Sequence, residues 1–163
     1  MLCKNTLHLV VLLTALSFAG CGQSLPKGMP PLYPCVITLT QEGVPLEGAS
    51  VALIPEDTTL RFTFAGATAS TGSVEMYSHG KHRGVPAGKY KLLVTKTDKE
   101  IQNGKIWDVS LVDVQYANPD KSPLEVDIVK KKNKFTFELG KAARIQTSPA
   151  MTLKQFYGDP NEK

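Results

Sequence analysis

The stretch EGVPLEGASVALIP (Glu42–Pro55) decides how the rest of the chain is to be read. Pro45 fixes its φ near −65°, and Gly43 or Gly48 can take a positive φ, so the chain can reverse within a few residues. Ala49 is small where a returning strand must approach its neighbour closely. Val51 to Ile54 then run apolar to a terminating Pro55. Glu42 and Glu47 are acids of the turn, where solvated carboxylates are common. The phrase therefore spells a turn and a buried strand, and each of its glycines and prolines has a backbone reason to be there. None of it needs a substrate.

Outward from this phrase the apolar spacing stays at two. Cys35, Ile37 and Leu39 alternate with Val36, Thr38 and Thr40. The same alternation runs through Leu60, Phe62 and Phe64, through Tyr90, Leu92 and Val94, through Leu124, Val126 and Ile128, and through Phe135, Phe137 and Leu139. Residues 51–54 and 73–77 are shorter candidates. Each set puts its apolar side chains on one face of a pleated strand. Gly43, Gly48, Pro55, Gly72, Gly80, Gly84, Pro86, Gly88 and Pro119 punctuate the gaps in the manner of hairpin loops. No stretch between 34 and 140 carries a helical face. About seven short strands, each apolar on one side, bury that side by packing two sheets face to face. The expectation is an all-β sandwich of Greek-key, immunoglobulin-like type over residues 34–140. Within it 97–123 is the least regular part, long for a loop in a compact domain. The polar run Lys130–Lys132, with Lys134, is expected to be a hairpin turn rather than a surface for anionic lipid or polymer.

The ends differ in composition. Residues 1–20 begin with a single charge, Lys4, followed by an uncharged apolar stretch, Leu7–Ala19. It is shorter than the roughly 20 residues a membrane span requires, so it suits a signal peptide. Ala19-Gly20-Cys21 resembles the lipobox of bacterial lipoproteins, and the resemblance implies a diacylglycerol thioether on Cys21. Phe18 departs from the leucine usual three residues before that cysteine. Residues 21–33 are rich in Pro and Gly and read as a tether. Residues 141–163 read as a loosely packed, flexible tail. Removal of 1–20 takes Cys3 and acylation takes Cys21, which leaves Cys35 alone, unable to form an intrachain disulfide, and its apolar strand makes it a buried inert thiol. The full chain carries a net charge of +4. Without Lys4 there are 18 basic against 15 acidic side chains, a balance of +3 that is too mild to suggest nucleic acid.

Three phrases, in order, resemble a known family. They are GVPLEGASVALIP (43–55), GVPAGKYKLLV (84–94) and VQYANPDKSPLEVDIVKKKNKFTFEL (114–139). Together they are similar to small planctomycete-type envelope lipoproteins that carry a carboxypeptidase-regulatory-like, transthyretin-like (prealbumin-like) β-sandwich. The resemblance covers most of 35–140 and implies a secreted, lipid-anchored envelope protein without catalytic function. ASTGSVEM (69–76) lacks the Asp that the family's corresponding turn carries, which leaves a cation role there unsupported. Physically, Pro86 and Gly88 set up the strand that follows them. Tyr90 is placed to bury its ring and rest its hydroxyl on a backbone carbonyl, as in the corner motifs of other sandwiches.

Enzymatic readings find little to stand on. His8 falls in the leader, and His79 and His82 lie in the polar loop SHGKHRG (78–84). Triad chemistry needs nucleophile, base and orienter in mutual reach, and a metal needs at least three ligands. His79 and His82 alone make a solvated basic loop, or a weak metal site completed by an outside carboxylate. Transthyretin-like hydrolases end in a characteristic strand that this chain does not carry, so their activity is not carried over. A glycosidase needs two carboxylates across a cleft, and Glu42 and Glu47 are turn acids. Two readings remain. One is a non-catalytic, lipid-anchored structural or protein-interaction module of the cell envelope, with no cofactor beyond the lipid on Cys21 and with the membrane and envelope proteins as partners. The other is a glycan- or peptide-binding surface lipoprotein that uses 97–123, with Trp107, His79 and His82 as the candidate surface. Pairing of a partner with an open sheet edge is a third route to the same end. Trp107 separates them, since a glycan platform requires it exposed beside other aromatic rings.

Overall fold

The computed structural model describes residues 25–147 and the backbone of 151–152. Its principal strands are β1 (Cys35–Gln41), β2 (Ser50–Pro55), β3 (Phe64–Ala67), β4 (Ser73–Glu75), β5 (Gly88–Thr95), β6 (Thr97–Gln102), β7 (Lys105–Ser110), β8 (Glu125–Ile128) and β9 (Asn133–Glu138). One sheet runs β8-β5-β2-β3 and continues through Tyr77–Ser78 and His82–Arg83. The other centres on β1, which pairs in parallel with β9 and antiparallel with β4 and Val44–Pro45. Cys35, Ile37 and Leu39 from β1 meet Val51, Leu53, Phe64, Tyr90, Leu92, Val94, Val126 and Ile128 in one buried cluster. This is an all-β sandwich, with the period-two residues of both sheets turned inward.

The turn spelled by Glu42–Pro55 is clamped from outside itself. Buried Thr68 donates its hydroxyl to Leu46 O and accepts from the Ala49 amide at 2.9 Å. Its backbone adds bonds from Gly48 N to Thr68 O and from Thr68 N to Ala49 O, both 2.9 Å. Tyr90 is fully buried, edge-on to Phe64 at 5.6 Å, and its hydroxyl donates to Pro86 O at 3.0 Å, the corner bond expected from sequence.

Four expectations are corrected. The strand expected at 60–64 starts at Phe64 and runs on through Ala65, Gly66 and Ala67, which carry no apolar alternation. Before it, the Asp57 carboxylate accepts from the Thr59 amide and hydroxyl at 2.9 and 2.7 Å, holding a turn that keeps Leu60 and Phe62 off the ladder. Lys130–Lys132 is not a hairpin turn, because β8 and β9 belong to different sheets and the run is the crossover between them. Asn133 braces it by donating to Val129 O and Lys131 O at 3.0 and 2.7 Å. The supposedly irregular 97–123 contains a regular hairpin, β6 and β7, reversed at Asn103-Gly104 with φ of 52° and 70°. A short 3₁₀ turn follows at Val114–Ala117. Lastly, Ile145–Gln146 and Met151–Thr152 pair with β7, so part of the expected tail belongs to a third sheet. Residues 1–24, including Cys21 and its leader, lie outside the described residues, as do 148–150 and 153–163.

Candidate functional site

The candidate surface residues sit on two different sheets. His79 tops the turn between Tyr77–Ser78 and His82–Arg83, exposed, at a positive φ of 50°. Its ring stands edge-on to Phe62 at 5.4 Å, and Nδ1 lies 3.3 Å from the Thr63 hydroxyl. His82 pairs across the ladder with Ser78 and is half-buried. Next to it Arg83 forms an ion pair with Glu75. The two histidines therefore mark the rim of the six-stranded sheet, each engaged with local neighbours. Thr63 and His79 make a hydroxyl–imidazole pair, and among the described residues no third group hydrogen-bonds that ring to orient it. Among the described residues no three of His, Cys, Asp and Glu gather closely enough to hold a metal.

Trp107 lies on the third sheet, facing Glu100 across the β6–β7 ladder. It is half-buried, and among the described residues no other aromatic ring packs with it. Arg144 forms an ion pair with Glu100, and Lys99 pairs with Asp108 at 2.6 Å. The hairpin buries Ile106 and Val109, yet neither belongs to the cluster that fills the sandwich. Across from Ile106, Ile101 is 63% exposed. β6 pairs with no strand but β7 among the described residues, so its far side is a sheet edge, on which the Asp98 carboxylate takes the Lys99 amide at 2.8 Å. Sequence reading missed this hairpin because Asp98, Lys99 and Glu100 hide the alternation. The Asn103-Gly104 pair, the usual signature of a tight hairpin turn, was the signal that could have found it.

Two hollows open on the six-stranded sheet. A shallow trough of about 530 Å³ crosses its outer face, lined by Ala52, Ala65, Ala67, Leu93, Thr95 and Ala117. None of those side chains titrates. A smaller hollow of about 310 Å³ lies at the β5–β8 edge beside Glu56, Lys89, Tyr90, Glu125 and Asp127. Lys91 ion-pairs with Glu125 there, and that bond lowers the Glu125 carboxyl below its ordinary pKa. Neither hollow includes His79, His82 or Trp107.

The buried polar side chains all serve the backbone. Thr68 donates to Leu46 O, Ser78 to Gly84 O, Ser110 to Val112 O, Ser122 to Leu92 O, and Asn133 to Val129 O and Lys131 O. Among the described residues no buried side-chain nitrogen or oxygen lacks a partner. Cys35 is fully buried, and burial pushes its thiol up to about 12, which keeps it protonated and unreactive.

No family model matches this chain, and no curated protein matches it. Solved structures with a similar arrangement include the major pilin subunit of Bacillus cereus. That likeness has a TM-score of 0.44 at 16% identity and covers 71% of this chain and 31% of the pilin. A protein described as an adhesin from Bacteroides ovatus is similar at a TM-score of 0.38 and 14% identity, over 73% of this chain and 50% of that one. A 9R-lipoxygenase from Cyanothece is similar at 0.36 and 12%, over 72% of this chain and 18% of the enzyme. This chain thus spans half or less of each of them, and their roles do not pass to it. No helix among the described residues is long and apolar enough to cross a membrane.

Proposed function

We propose that this chain is a non-catalytic module of a bacterial cell envelope, tethered by lipid on Cys21, that holds a sandwich out from the membrane and offers the 97–110 hairpin to a protein or peptide partner. The observation that carries the reading is the use of the buried polar groups. A catalytic or small-ligand site keeps convergent polar side chains free for its substrate. Here Thr68, Ser78, Ser110, Ser122 and Asn133 are all tied to main-chain carbonyls of the fold. What the fold leaves available is a strand edge: β6 takes no second strand among the described residues, and exposed Ile101 offers an apolar contact beside it. An extended peptide adds to such an edge through main-chain hydrogen bonds, and alternate side chains supply specificity. Trp107, half-buried and without an aromatic neighbour, fits this use better than a sugar platform. The resemblance of the three sequence phrases to small envelope lipoproteins supports the anchor and the location.

The test has two arms. Cys21→Ser is expected to abolish lipid labelling and to move the protein from the membrane to the soluble fraction; retained labelling sinks the anchor. Crosslinking in intact cells through a photoreactive residue at Ile101 is expected to trap a protein partner. Equal trapping from an exposed position far from the hairpin, such as Lys121, would remove β6 as the docking edge.

A further inference from the structure

β9 ends its sheet, pairing with β1 and with no other strand among the described residues. The Asn133 amide donates to Pro34 O and the Leu139 amide to Thr40 O, both at 2.8 Å, at the two ends of this parallel ladder. Ladder bonds come from every second residue of a strand, so 133, 135, 137 and 139 direct their peptide groups toward β1. Phe137 O agrees, accepting from the Thr40 hydroxyl at 3.4 Å. The amides and carbonyls of Lys134, Thr136 and Glu138 therefore point out of the sheet, and all three residues are exposed. Their side chains share the outer face. Phe135 and Phe137 point to the inner face, stacked at 6.5 Å and only partly covered by the core.

The segment Lys134-Phe135-Thr136-Phe137-Glu138 is self-complementary about its centre. We propose that β9 pairs antiparallel with β9 of a second copy of this chain, across a two-fold axis at Thr136. In that register Thr136 faces Thr136, Lys134 faces Glu138 of the second copy, and Phe135 faces Phe137. The residues brought opposite one another with outward peptide groups are 134, 136 and 138, so each of these pairs exchanges two main-chain hydrogen bonds. The phenylalanines fall at the closer, non-hydrogen-bonded positions, where aromatic cross-strand pairs contribute most. Unlike charges meet on the outer face at both ends. A slip of four residues in either direction sets Lys134 on Lys134 or Glu138 on Glu138, so charge disfavours those registers. Lysine and glutamate on an edge strand ordinarily guard against indiscriminate pairing. Placed symmetrically about Thr136 with opposite sign, they admit one partner, the same strand reversed. The inference stands apart from the lipid anchor and from the β6 docking edge, and uses neither.

The experiment is sedimentation velocity of the full chain over a concentration series. The wild-type chain is expected to associate reversibly to a dimer. Lys134→Glu and Glu138→Lys each set like charges opposite one another twice, and each is expected to weaken the dimer about tenfold. An equimolar mixture of the two variants is expected to associate as the wild type does, because every charge pair in the mixed dimer is again unlike. Glu138→Lys also loses the bond from the Thr40 hydroxyl inside its own chain. Thr136→Asp, on an exposed side chain, therefore provides a second variant, with like charges on the axis and a comparable loss of affinity. A wild-type chain that stays monomeric overturns the proposal. So does a dimer indifferent to Lys134→Glu and Thr136→Asp.

Discussion

Tyr90 and Cys35 do their structural work as neutral groups, and that has a consequence at high pH. Burial comes first among the causes that push the Tyr90 phenol up to about 12, with the Asp57 charge adding to it, and burial alone does the same to the Cys35 thiol. Their ordinary values are 10.0 and 9.0. Between those values and 12 the unfolded chain ionises while the folded chain holds its protons. The unfolded state then binds fewer protons, so stability is fully present below about pH 9 and falls as pH rises toward 12. Denaturant unfolding at about pH 8 and about pH 10.5 is expected to show a lower midpoint at the higher pH. Cys35→Ala is expected to flatten that dependence, whatever it costs in packing. An unchanged pH slope in the variant would mean that the thiol is not the group responsible. At this scale much was legible from sequence. A period-two tyrosine after a Pro-x-Gly turn announced both its burial and its hydroxyl bond. Thr68 was not legible, because its clamp acts on a turn about twenty residues earlier and no local pattern marks it.

Turns separate the elements into two classes, and glycine shows which is which. Gly72 and Gly104 have nearly the same backbone, φ of 72° and 70°. Gly72 lies inside the fold: its carbonyl accepts from the Leu39 amide at 2.9 Å, and a Cβ there would run into Leu39 O. Gly104 closes the β6–β7 hairpin with nothing within 4 Å of where a Cβ would stand. Gly104→Ala therefore meets only the left-handed backbone penalty, about 1 kcal/mol, felt by the hairpin. Gly72→Ala adds a main-chain collision beside β1 and is expected to cost more, about 2–4 kcal/mol, felt by the whole sandwich. Thermal or denaturant unfolding read through the lone tryptophan and through far-UV circular dichroism distinguishes the two effects. Equal losses from both substitutions would contradict the assignment of Gly72 to the core. The strands whose apolar residues face that core, β1, β2, β5, β8 and β9, announce themselves in sequence because burial of one face forces the alternation. β3 and β6 do not. Ala65, Gly66 and Ala67 have too little apolar surface to alternate, and β6 faces water with charged side chains.

The molecule as a whole is a sandwich with an appended third sheet, and the two are stabilised separately. The buried cluster draws on both sandwich sheets and on Val112, Leu124 and Leu139 from the connections. It excludes Ile106 and Val109, which are buried on β7 outside that cluster. β7 takes Ile145–Gln146 and Met151–Thr152 as its further partners, and the bonds from Leu111 N to Lys96 O at 2.8 Å and from Ala143 N to Leu111 O at 3.2 Å extend these ladders. From the sandwich the Gln41 side-chain amide donates to Leu111 O and Lys141 O at 3.3 and 3.4 Å. Few shared apolar contacts and many exposed main-chain bonds are the conditions under which a unit opens without unfolding the rest. Native-state hydrogen exchange is expected to resolve two levels. Amides that hold the β6–β7 ladder should exchange through a local opening with weak dependence on denaturant. Those of β1, β2 and β5 should exchange only through global unfolding, with the full denaturant slope. A partner strand laid on β6 would raise the first level and leave the second nearly unchanged, since binding stabilises the state that it binds. If β6–β7 amides instead exchange with the same free energy and slope as those of β5, the hairpin is part of the sandwich's cooperative unit. Its open edge would then be a rigid rim of the fold and not a separately ordered arm.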